Sequence, residues 1–112
     1  MAIKTLSNEV IEYSTCVMVL QFRNEDGQQI LPISANWSLM DRNGNIINEK
    51  EDIIIDLPSE PETVYVVLSG NDLPNGYLYF VIDGTYYNNI SESTEPLRDS
   101  CKFYVRSIAG DE

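Results

Sequence analysis

Apolar positions recur along this chain with a period of two. The strongest example is 63–87, where TVYVVLSG and YLYFVIDGTYY flank the turn-forming NDLPNG. Val64, Val66 and Leu68 alternate with Tyr65, Val67 and Ser69, and Leu78, Phe80 and Ile82 with Tyr77, Tyr79, Val81 and Asp83. Successive side chains of a strand face opposite ways, so the first set of each run can line a core. The second sets are themselves fairly apolar, which predicts strands partly covered on both sides. The two runs read as a central antiparallel pair, with Asp72, Pro74, Asn75 and Gly76 turning between them.

The remaining chain carries the same pattern in shorter pieces. Residues 2–6 read as a short edge strand in a leader covering 1–9. In 10–23, Cys16, Met18, Leu20 and Phe22 share one face of a half-buried strand. Asn24-Glu25-Asp26-Gly27 is a turn, and Pro32 confines 28–32 to an edge or loop. Ala35, Trp37 and Leu39 share a face of the next strand. Asn43-Gly44 then predicts a hairpin with a type I′ turn. A short strand over 53–57 ends at Pro58. The polar stretch 88–99 reads as a long loop, 101–105 as the last strand with Cys101, Phe103 and Val105 inward, and 107–112 as a frayed tail. No stretch has a helical stripe with capping signals.

About seven short strands separated by turns predict an all-β, immunoglobulin-like or fibronectin type III-like antiparallel β-sandwich. The single Trp37, on the third strand, suits the core aromatic of such a sandwich, together with Phe80 and Phe103. Leu73-Pro74-Asn75-Gly76-Tyr77 is similar to the corner in those domains where a Tyr hydroxyl bonds back to the upstream backbone. Tyr77 is the better candidate for that role and Tyr79 the alternative.

Length adds that the 112 residues are one domain, 1–112, with room for one core. No apolar run approaches the ~20 residues of a membrane helix. The amino terminus lacks a secretory h-region and still begins with Met, so no export is expected. Charge changes the picture more. Seven Lys and Arg against 18 Asp and Glu give −11. Such a surface repels nucleic acid phosphates and anionic membranes and favours basic partners.

Candidate chemistry is sparse. With no His, Ser-His and Cys-His pairs are impossible within the chain, and Cys/His zinc sites lack ligands. No cofactor and no enzymatic activity are expected. Cys16 and Cys101 read as two buried thiols, with a disulfide as the alternative. Asp41, Asn43, Asn45, Glu49 and Asp52 have calcium-loop spacing. However, Ile46 stands where the loop needs Gly, and Asp52 where it needs Glu, so a hairpin turn is the better reading. Asn36 and Asn89 head formal glycosylation sequons without an export signal to use them. Seven tyrosines are many for this length, and outward ones suit contact surfaces as well as strand propensity. The candidate contact residues are Tyr65, Tyr79 and Tyr104 on strand faces, and Asn88, Asn89, Ile90, Glu92 and Glu95 in the polar stretch.

Four segments carry a family resemblance. Trp37-Ser38-Leu39-Met40-Asp41-Arg42-Asn43-Gly44-Asn45-Ile46-Ile47-Asn48 is similar to a TWSLTDxxGxVIN hairpin of small tailed-phage proteins. Val67-Leu68-Ser69-Gly70-Asn71-Asp72-Leu73, Asp83-Gly84-Thr85-Tyr86 and Pro96-Leu97-Arg98-Asp99 follow in the same order. Together they span most of 35–105. The chain resembles short immunoglobulin-like proteins encoded among phage structural genes, and no catalytic residues come with that resemblance. It implies a non-enzymatic virion accessory protein, a capsid decoration or head–tail connector component, made in the host cytoplasm and joined to phage structural proteins. Alone it would be a monomer or small oligomer. The alternative is a free intracellular adaptor or inhibitor whose acidic surface binds a basic protein.

Overall fold

The structure, a computed structural model, describes residues 2–5 and 9–109. Among these it is all-β. The strands are β1 (Ala2–Thr5), β2 (Val10–Ile11), β3 (Thr15–Gln21), β4 (Ser34–Asp41), β5 (Ile53–Ile54), β6 (Val64–Ser69), β7 (Gly76–Asn88) and β8 (Ser93–Arg106), with one 3-10 turn at Gly70–Asp72. They form two sheets, ordered β1-β3-β6 and β2-β8-β7-β4-β5. All pairings are antiparallel except β2 with β8.

The alternation places the core as expected. Met18, Leu20, Val64 and Leu68 from the first sheet pack in one cluster with Trp37, Leu39, Leu78, Phe80, Ile82, Phe103 and Val105 from the second. Trp37 stacks on Phe80 at 5.3 Å between ring centroids. Interlocking both sheets in one cluster removes the apolar face of each from water, which is the main stabilising term for such a fold.

Pairing differs from expectation in three places. The runs at 64–69 and 76–88 are not a hairpin, since β6 belongs to the first sheet and β7 to the second. Gly70 (φ +58) and Gly76 (φ +118) bound the connection, and Leu73, fully buried within it, accepts Tyr13 N–H on its carbonyl at 3.0 Å. A segment that inserts its own apolar plug between the sheets carries the chain across instead of turning it back. The true partner of β7 is β8, in register from Gly76↔Val105 to Asn88↔Ser93. The predicted long loop at 88–99 is therefore mostly strand, with a short turn at its start. Finally, 10–23 is two strands. Tyr13 takes a left-handed backbone (φ 59), and the break sends β2 to one sheet and β3 to the other.

Smaller corrections follow the same lines. The 53–57 strand is only two residues long. The Asn43-Gly44 turn is not type I′, because only Gly44 has positive φ. Gly44 N–H bonds Asp41 C=O at 3.1 Å and Asp41 N–H bonds Asn45 C=O at 2.9 Å, the three-residue loop with a left-handed glycine. In the leader, Ala2–Thr5 pairs with β3, while Leu6 lies outside the described residues. The tail is tied down through 107–109, because the Glu12 carboxylate accepts from Ser107 Oγ and Ile108 N–H; residues 110–112 lie outside the described residues.

Candidate contact surfaces

Three surfaces hold the residues singled out above. The first is the outer face of the second sheet. Register puts Tyr77 opposite Tyr104 and Tyr79 opposite Lys102 on β7 and β8, and Met40 on β4 opposite Tyr79. The Tyr77 and Tyr104 rings meet at 4.9 Å, and Lys102 Nζ lies 4.6 Å from the Tyr77 ring centroid. An aromatic pair with a cation over one ring is a pre-assembled, amphipathic surface of the kind that binds proteins with little ordering cost. Among the described residues, neither the Tyr77 nor the Tyr79 hydroxyl bonds to backbone, so the expected tyrosine corner is not formed. Tyr77 spends its ring on Tyr104 instead.

The second is the tip of the β7–β8 hairpin. Pairing to β4 stops at Thr85, so the tip extends beyond its neighbours in a molecule 51 × 24 × 21 Å across. Asn88 is half-buried and structural: its Oδ1 accepts from Ile90 and Ser91 N–H, which closes the turn. Glu25 Oε1 accepts from Tyr86 O–H and Asn88 Nδ2, both at 2.6 Å, which props the tip from the 24–27 turn. The Tyr86 hydrogen bond, first, holds the Glu25 carboxyl below the usual range, and the same bond raises Tyr86. Asn89, Ile90 and Glu92 are exposed, and Glu95 is half-exposed beside Tyr86.

The third is the outer face of the first sheet, which carries Tyr65. Tyr65 is therefore on the opposite side of the molecule from Tyr79 and Tyr104, and the three cannot form one contact. Tyr65 and Val67 are 60% and 59% exposed, so the expected second cover over this strand is missing among the described residues.

The other candidates resolve locally. Asp41, first in the calcium-like spacing, caps its own turn: its carboxylate accepts from Asn43 and Asn45 N–H at 2.8 and 3.0 Å, and the Asn45 bond leads in lowering its pKa. Cys16 is buried and Cys101 half-buried, both as free thiols. Asp72, buried, went unnoticed in the sequence as a structural anchor. Its carboxylate accepts from Asn48 Nδ2 at 2.7 Å and Ser69 N–H at 3.2 Å, tying the β4–β5 connection to the end of β6. Only its position in a turn-rich stretch hinted at that role. Comparison with protein-family models, with curated proteins and with solved structures finds no match.

Proposed function

We propose that this chain is a non-enzymatic contact module of immunoglobulin-like type, acting as a virion accessory protein at a capsid or head–tail junction. The observation that carries the reading is the aromatic outer face of the second sheet, where Tyr77, Tyr79 and Tyr104 gather around Lys102. Outward tyrosines gathered on one sheet face suit a contact surface, and aromatic anchors carry a disproportionate share of binding energy. The strand order supports the immunoglobulin-like part: first, third and sixth strands in one sheet, the long seventh and eighth in the other, and β2 running parallel to β8. The phage assignment rests on the four ordered segments of resemblance. The acidic adaptor remains the second reading, favoured by the charge of −11.

The test is reconstitution on particles that lack the protein. The parent should load in fixed stoichiometry. A Tyr79→Ser/Tyr104→Ser variant with unchanged thermal stability should load at least about tenfold more weakly. Equal loading by that variant removes the aromatic face from the contact. A parent that never loads removes the virion reading and leaves the adaptor.

A further inference from the structure

The strand edges of the two sheets are not equally protected. On β7, Thr85 C=O is taken by Ile33 N–H on the β4 side, so Thr85↔Pro96 is not a hydrogen-bonded pair between β7 and β8. By alternation, Pro96, Arg98, Ser100, Lys102 and Tyr104 point their backbone groups outward. That edge is blunted at nearly every step. Pro96 has no N–H, Ser100 N–H is capped by Asp99 Oδ1 at 2.8 Å, and Arg98 and Lys102 add charge. The β4 edge is covered by bonds to Lys50, Ile47 and Ile55.

β6 differs. Gly70 N–H bonds Ser14 C=O, one step beyond Thr15↔Ser69 in the register, so the hydrogen-bonded pairs with β3 are Cys16↔Leu68, Met18↔Val66 and Leu20↔Val64. The backbone groups of Tyr65, Val67 and Ser69 therefore face away from the sheet. Asp72 caps Ser69 N–H. Among the described residues nothing bonds the outward groups of Tyr65 and Val67. Their side chains, beside Val17 and Val19 of β3, make the outer face apolar, and Lys4 on the far strand is the one charge on the strands of this sheet. Apart from the Asp72 cap at its end, this is an open, apolar edge, without the proline and charged side chains that guard β8.

We propose that the β6 edge receives an extended strand from a basic partner protein, which pairs antiparallel with Tyr65 and Val67. This deepens the contact-module reading and rests on it, but not on the virion assignment. Charge selects the occupant. Asp56, Glu60 and Glu62, all exposed, lie on the chain leading into Val64, and the whole molecule carries −11. A second copy would bring like charge to the same edge. A partner strand with apolar residues on alternate positions and Lys or Arg at its carboxyl end fits both features, since antiparallel pairing sets that end beside Glu60 and Glu62.

The probe is a synthetic peptide of alternating valine and threonine with arginines at its carboxyl end. Titrated into the whole protein, it should protect the Tyr65 and Val67 amides from hydrogen exchange, and added salt should weaken it. The same peptide ending in glutamates should bind at least about tenfold more weakly. Val67→Pro removes an outward N–H that no bond within the sheet uses, and should abolish the protection of the Tyr65 amide. Tyr65→Ser keeps every backbone group and should weaken binding while leaving the amide pattern in place. Protection appearing on β8 or β1 instead, equal binding by Val67→Pro, or self-pairing of the protein through β6 in the absence of peptide would each overturn the proposal. None of these outcomes depends on particle loading, so this inference and the virion reading fail separately.

Discussion

Cys16 and Cys101 show how far single residues could be read. Each lies on the core side of its strand, as alternation predicts, and both are free thiols. Cys16 Sγ sits 3.9 Å from Met18 Sδ, and burial, then the neighbouring Cys101, push its pKa up to about 11. Burial also leads in raising Cys101, followed by Asp99. Ionising Cys16 costs more in the folded chain than in the unfolded one, where the pKa is ~8.5. Its contribution to stability is therefore full below that value and is lost as pH rises through about 11. At pH 8 little thiolate exists, so native alkylation of Cys16 should be roughly a hundredfold slower than in denaturant, and complete after denaturation without reductant. A mass short by a pair of hydrogens, with no alkylation before reduction, would show a disulfide instead. Residues whose role depends on a distant partner were not legible this way. The left-handed backbone of Tyr13 leaves no trace in local pattern, and Asp72, placed among turn residues, gives no sign of the bond from Asn48 that anchors it.

Strand identity was legible and strand pairing was not. Which face of 64–69 or 76–83 turns inward is a local property, fixed by alternation. Which strand sits beside it depends on connections such as Gly70 to Gly76, where a buried Leu73 outweighs the turn residues around it. The outer half of β8 carries no strand signal because it forms a projecting hairpin arm, where only Leu97 is buried and no apolar alternation is required. Gly84 shows a pairing constraint that the sequence hid. It lies opposite Ala35, and a Cβ there would come within 2.1 Å of the Ser34 carbonyl oxygen and 2.9 Å of Ala35 Cα. Both are backbone atoms of β4, so relief requires moving the strand. Gly84→Ala should cost about 1–3 kcal/mol, read as a lower urea midpoint with unchanged slope. A midpoint equal to the parent's would mean that β4 and β7 are not so closely apposed.

At the scale of the whole molecule the governing quantity is charge. A surface of −11 on so small a body opposes the approach of its own copies, whereas the exposed Tyr65 and Val67 of β6 offer them an apolar attraction. The two terms respond differently to salt. Repulsion is screened, with a Debye length of ~8 Å at physiological ionic strength and ~3 Å at 1 M, whereas apolar attraction persists. The isolated protein should therefore sediment as a monomer at moderate salt, and rising salt should weaken only the repulsion between its copies. A basic partner should show the opposite dependence, since screening removes its attraction. Sedimentation equilibrium across a salt series, run with and without the arginine-ended peptide, measures both slopes. A dimer that is stable at low salt and dissolves at high salt would mean that charge joins the copies, and the acidic surface would then have to be patterned rather than simply repulsive.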